Sequence, residues 1–382
     1  MEAKQRYEVL DGMRGIAAFI VMLFHYNIQH GYRIFYNAFT AVDFFFILSG
    51  FVLLHSYGNR LNTGMTARDF ISRRIARLLP LTALGVIVGV PALLVMQHFS
   101  QTDFTVFGIF GAAARNMFFI PAVNTNWFIA DGATISGQLF PTDGPLWSIF
   151  FEFAAGFGFI HLARLGYGKL SRWCVVSFGL IVLYSIWNGH IVGNRTFDFD
   201  AGWSGSNFIG GFPRVIFGFT CGMLIYRMTT TYPVTGFFKK MLSWPVWHPT
   251  AVYAALICAL TFPLYVKGIY SLVEVGIIAP ILVFQGSRSI CKSAGTSMFS
   301  ARLGQLSFPV YCLHYPVMSA LKALAITSGV LLPSPTILVT IAVSLTLLLS
   351  HVVSSLFEHF QIQRRLTSHL NNYFTYLAVR TT

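Results

Sequence analysis

Of 382 residues, 55% are hydrophobic and 16% aromatic, only 10% are charged, and the mean hydropathy is +0.64. Globular domains carry about a quarter charged residues, so this chain cannot cover a surface with polar groups in water; an ordinary soluble enzyme is excluded and lipid becomes part of its solvent. The net charge of +13 does not point to nucleic acid, because the basic residues fall in short clusters between long apolar runs, as they do in cytoplasmic loops.

A membrane-spanning helix needs about 20 mostly apolar residues. Ten such runs follow in order, near 12–30, 41–57, 77–97, 146–163, 174–190, 208–226, 246–266, 269–286, 304–328 and 335–357. They predict an all-α integral membrane fold of about ten transmembrane helices. The first run contains Arg14 and His25 and lacks a small-residue cleavage site, so it is expected to stay as a helix and not to be removed as a signal peptide. With the N-terminus in the cytoplasm, 20 of the 26 Lys and Arg residues fall on the inner side, which places both termini in the cytoplasm. Residues 98–145 form the longest connection, read as a partly buried outer-face loop with Phe118, Phe119 and Ile120 at the interface or re-entering the membrane. Residues 1–357 read as one membrane domain, and 358–382 as a short cytoplasmic tail, basic and aromatic, suited to a surface anchor. The five cysteines lack metal-ligand spacing, and the chain has no His-Glu-x-x-His, Gly-x-Ser-x-Gly or Walker pattern, so metal, serine-hydrolase and ATP-driven chemistry have no motif.

Ionisable groups in hydrocarbon are costly and are therefore functional candidates. Arg14 and His25 stand eleven residues apart. On a helix that spacing returns to within about 20° of the same face after a rise of about 16 Å. One stripe thus joins a cationic end near the cytoplasm to an imidazole able to take and return a proton near neutral pH. The plainer reading has Arg14 reaching lipid phosphates and His25 bonding a neighbouring helix. Asp43, near the start of the second run, and Glu152, about two turns into the fourth, are carboxylates able to orient His25, and the sequence does not choose between them. Asp43 also suits a helix N-terminus.

Arg68, Arg73, Arg74 and Arg77 cluster before Leu78-Leu79-Pro80. They read as positive-inside topology, and Arg74 with Arg77, three apart, also as a grip on a phosphate-bearing donor. In the outer regions, Arg115, Trp127 and Trp203 are candidate contacts for a sugar or plain interface anchors. Arg214 either lines a polar acceptor cavity or snorkels outward. His314, after Pro309, reads first as packing and second as substrate contact. Gly50, the Gly85/Gly89 pair and the Gly218/Gly222 pair predict close helix approach.

The string Leu10-Asp11-Gly12-Met13-Arg14-Gly15-Ile16-Ala17-Ala18 followed by His25 resembles the first-helix signature of the membrane acyltransferase-3 family, whose members move acyl groups onto carbohydrates and related acceptors. The likeness continues in family order through 43–51, 73–80, 146–152 and 306–314. This resemblance implies a ten-helix membrane O-acetyltransferase that draws on cytoplasmic acetyl-coenzyme A and acylates an exopolysaccharide, lipid-linked sugar or envelope glycan. It also implies residue roles. Arg14 and His25 match the Arg-x10-His motif, with His25 as base or transient acyl acceptor. Arg74 and Arg77 match the Arg-x-x-Arg motif of donor handling, with Arg73 beside them, and Glu152 matches a functional acid. Phe153-Ala154-Ala155-Gly156 departs from the family by lacking the Gln and Tyr often found there. Without a fused SGNH-type domain, the chain is expected to transfer directly or to hand the acyl group to a separate periplasmic protein. A second copy, membrane lipid and a bacterial inner membrane complete the expected setting, with no metal and no nucleic acid. The rival reading is a proton-coupled transporter or flippase, for which no inverted repeat is visible.

Overall fold

A computed structural model describes residues 6–29, 35–102, 104–121, 138–192, 196–230, 236–262, 268–328 and 334–380. Among the described residues, helices overlap each of the ten apolar runs. In order these are α1 (Glu8–Gln29), α2 (Ala41–Asn62), α3 (Ala67–His98), α4 (Val106–Asn116), α5 (Leu146–Leu162), α6 (Tyr167–Val192), α7 (Gly211–Thr230), α8 (Gly236–Leu242) and α9 (Pro249–Thr261). Then α10 (Ile269–Val273) passes through a π-helical turn, Glu274–Ile278, into α11 (Ala279–Arg288), followed by α12 (Ala294–Ser328), α13 (Pro335–His359) and α14 (Ile362–Arg380). Among the described residues, seven helical segments are long and apolar enough to cross a membrane, and α5 and α9 are apolar but shorter. The only pairing of strand type among them is the isolated bridge between Gln138 and Ser204. The protein is an all-α integral membrane protein.

Three elements differ from the expected layout. First, α3 begins ten residues before its apolar run, because Thr66 and Asp69 form a capping box: the Asp69 amide donates to Thr66 Oγ1 at 3.1 Å and the Thr66 amide to Asp69 Oδ2 at 3.4 Å. Arg68, Arg73, Arg74 and Arg77 therefore ride on the first three turns of a helix. Second, the connection at 98–145 contains α4, started by the Gly108 amide donating to Thr105 Oγ1 at 3.0 Å. α4 buries Ile109 with Leu93, Met96 and Phe104, while Phe107 and Phe110 stay exposed, as suits a helix lying along an interface. Third, the tail forms α14, packed against α3.

The chain divides into two compact units. The first takes residues 1–56, 162–200 and 212–308, and the second 57–161, 201–211 and 309–382. In the first, α2 and α7 meet backbone to backbone: a β-carbon on Gly218 would run into Phe46, one on Gly222 into the Ile47 carbonyl, and one on Gly50 into the Phe219 carbonyl. The predicted close approach is present at all three. In the second unit, Gly85 and Gly89 do a different job. They admit the Thr142 carbonyl, the Asp143 carboxylate and the Cys312 carbonyl to the face of α3, so a loop as well as a helix lies against it.

Candidate functional site

The functional side chains form two groups, one in each unit. In the first unit, α1 is pressed against its neighbours by small residues: Gly12 faces the Tyr253 hydroxyl, Gly15 the Leu303 carbonyl, and Gly304 of α12 faces Asp11. This contact delivers Arg14 to α12. Its Nε donates to Ser307 Oγ at 2.9 Å, and one terminal nitrogen donates to the Gly304 carbonyl at 2.9 Å and to Asp11 Oδ1 at 3.3 Å. Arg14 is thus held by protein acceptors while 28% of its side chain remains exposed.

His25 lies eleven residues further along the same uninterrupted helix. Its Nδ1 donates to the Val21 carbonyl at 2.9 Å. A carbonyl can only accept, so the hydrogen resides on Nδ1 and the lone pair on Nε2, the nitrogen with which this tautomer can act as a base or a nucleophile. A main-chain oxygen thus holds the Nδ1 side of the ring.

Asp43 is committed elsewhere. Arg214 Nε donates to Asp43 Oδ1 at 3.0 Å and a terminal nitrogen to Oδ2 at 2.6 Å, a two-pronged pair buried on both sides, with Phe199 covering the guanidinium at 4.8 Å. Arg214 therefore does not snorkel outward, which corrects that sequence reading of it. Two charges in an apolar interior are far less costly together than apart. Near this pair, Glu274 projects from the π-helical turn close to Thr40 and Asp43 and is 2% exposed. The apolar run around it hid this carboxylate. Opposite charges buried in separate apolar runs were the available signal for the Asp43–Arg214 pair.

In the second unit, Arg74 of α3 donates to Glu152 Oε1 of α5 at 2.7 Å, with side chains 3% and 20% exposed. The departure from the family pattern bears on this contact: a β-carbon at Gly156, one turn past Glu152, would stand 3.7 Å from Arg74 Nε, so the small residue borders the guanidinium. Arg77 is half-buried and Arg73 exposed on the same helix. Arg74 Nε is buried with no hydrogen-bond partner among the described residues. The replacement Arg74→Gln should lower the thermal midpoint in detergent more than the double change Arg74→Gln/Glu152→Gln, because the single change strands a carboxylate. If the double change costs the sum of the Arg74→Gln and Glu152→Gln single changes, the pair does not couple.

Around this pair lies a second polar cluster. The Ser148 and Tyr311 hydroxyls are 2.6 Å apart, and His314, fully buried, donates from Nδ1 to the Val310 carbonyl at 3.0 Å, in the manner of His25. Asp143 is fully buried against Gly85, and neither carboxylate oxygen has a hydrogen-bond partner among the described residues. Burial pushes its carboxyl well above the usual carboxylate range. Sequence reasoning placed Asp143 in a loop and missed its depth, and the short Asp143-Gly144-Pro145 stretch gives no local sign of it. Arg115 sits exposed on α4, and Trp127 lies outside the described residues.

Residues 7–354 match a family described as an acyltransferase domain. Protein 2 in the picA locus of Rhizobium radiobacter is 34% identical over 161 residues, which cover 39% of this chain and 78% of that protein. No solved structure matches the chain.

Proposed function

The chain belongs to the acyltransferase-3 family, and from that premise we propose that this membrane acyltransferase is an O-acetyltransferase. It moves the acetyl group of cytoplasmic acetyl-coenzyme A to a carbohydrate hydroxyl of an exopolysaccharide, lipid-linked sugar or envelope glycan. Its setting is a bacterial inner membrane, with both termini in the cytoplasm. The observation that carries the reading is the tautomer of His25, whose Nε2 lone pair follows from the Nδ1 bond to Val21.

In this mechanism Nε2 takes the proton of the acceptor hydroxyl as its oxygen attacks the thioester carbonyl. The carbon–sulfur bond breaks, coenzyme A leaves as the thiolate, and the proton passes from the imidazolium to that sulfur. A covalent route has the same outcome: Nε2 attacks the thioester carbonyl, the carbon–sulfur bond breaks and coenzyme A leaves as the thiolate; the acceptor oxygen then takes the acetyl group as the carbon–nitrogen bond breaks, and the hydroxyl proton passes to the thiolate. Of the arginines at the start of α3, Arg74 has its charge met by Glu152, and Arg73 and Arg77 on the same helix are further candidates for the donor phosphates. Glu152 holds Arg74 in place, Arg14 ties α1 to α12, and His314 and Arg115 are lesser candidates for acceptor contact.

The test is reconstitution in lipid vesicles with acetyl-labelled coenzyme A and extracted envelope glycans. Label is expected in an ester on the glycan. Movement of unmodified glycan across the vesicle membrane without ester formation would replace this reading with that of a transporter.

A further inference from the structure

In the second unit, an open groove of about 560 Å³ runs between α3 and the corner where α13 turns into α14. Leu79, Pro80 and Ala83 of α3 make its floor, and Phe360, Ile362 and Leu366 make its wall. At the rim stand Arg365 and His369, four residues apart and so on one face of α14. Beside them Arg364 is exposed, and the sequence of α14 contains no acidic residue. Exposed Phe360, Tyr373 and Tyr376 border the same region.

These features select a ligand. α13 is long and apolar enough to span a bilayer, and α14 starts three residues after it ends, so the groove opens where lipid headgroups lie. An apolar trough with a cationic rim matches a molecule with a hydrocarbon chain and an anionic head. A zwitterionic lipid would bring an ammonium group as well, and neither the groove lining nor α14 supplies an acid to receive it.

We propose that this groove binds one anionic phospholipid of the surrounding bilayer. An acyl chain covers Leu79, Pro80 and Ala83, and the phosphate accepts hydrogen bonds from Arg365 and His369. The groove begins within one turn of Arg77 on α3, and the proposal does not depend on the acyl-transfer chemistry.

The experiment is native mass spectrometry of the purified protein, titrated with phosphatidylglycerol or phosphatidylcholine. Wild type is expected to retain one phosphatidylglycerol in preference to phosphatidylcholine. The double variant Arg365→Gln/His369→Gln should bind it about 10- to 30-fold more weakly, since two basic contacts are lost. Ala83→Phe fills the floor without touching charge and should weaken binding as well. Thermal midpoints of both variants confirm that they are folded. Equal retention of the two lipids, or undiminished phosphatidylglycerol binding in both variants, would overturn the proposal. So would displacement of phosphatidylglycerol by acetyl-coenzyme A or by inorganic phosphate at matched concentration, since the groove would then be a donor or anion site.

Discussion

Replacing His25 by alanine should reduce acetyl transfer by about 10²- to 10⁴-fold while leaving the thermal midpoint nearly unchanged. The rate loss follows from the ordinary worth of a positioned acid–base group. The unchanged midpoint follows from the bonding of the ring, whose Nδ1 contact goes to the carbonyl of residue i−4, Val21. That oxygen belongs to the ladder of α1 and keeps its backbone donor when the imidazole is gone. The measurement is initial rate against acceptor concentration, alongside a detergent melt. An acid quench with labelled donor and no acceptor separates the two routes, because label retained on wild-type protein marks the covalent one. Transfer that persists within a factor of about ten in the alanine variant would remove His25 from the chemistry and turn attention to His314, which has the same tautomer.

A second large effect is expected at Arg214. Arg214→Ala leaves the Asp43 carboxylate buried with no counter-charge, at a cost of about 3–5 kcal/mol. That is a large fraction of the stability of most proteins. Asp43→Ala should be comparably damaging, because it strands the guanidinium beneath Phe199. The double variant Asp43→Leu/Arg214→Met should recover most of the loss, since apolar residues of similar volume can replace a buried ion pair at little cost. Unfolding of the wild type, this double variant and its matching singles Asp43→Leu and Arg214→Met in one detergent gives the coupling directly. If the double variant loses the sum of what those two single variants lose, the pair is not a structural lock.

Much of the fold was legible because its signal is local. A run of apolar residues long enough to cross lipid identifies its own helix, and α1, α2, α6, α7 and α13 needed nothing else. The Arg14–His25 stripe was also legible, since both side chains belong to one helix whose geometry is fixed. What escaped was long-range or polar at its ends. Asp43 and Arg214 are 171 residues apart, and Arg74 and Glu152 are 78 apart, distances over which no periodicity carries information. The first turns of α3 were hidden because their arginines interrupt the hydropathy, although Thr66 and Asp69 spelled out a capping box. α4 is only 11 residues long, too short to stand out within a long polar connection. Glu274 was lost inside an apolar run, and the local rearrangement of the helix at Glu274–Ile278 accompanies it. Such π turns often occur at functional sites.

The bond between the His25 ring and Val21 has one more consequence. Most imidazole bases are aimed by a residue from elsewhere in the protein, so their direction is lost when that neighbour shifts. Here both the ring and its restraint sit on a single turn of one helix. The Nδ1 side of the ring is thus held from within the same turn of α1, and that restraint travels with the helix when substrates and products exchange.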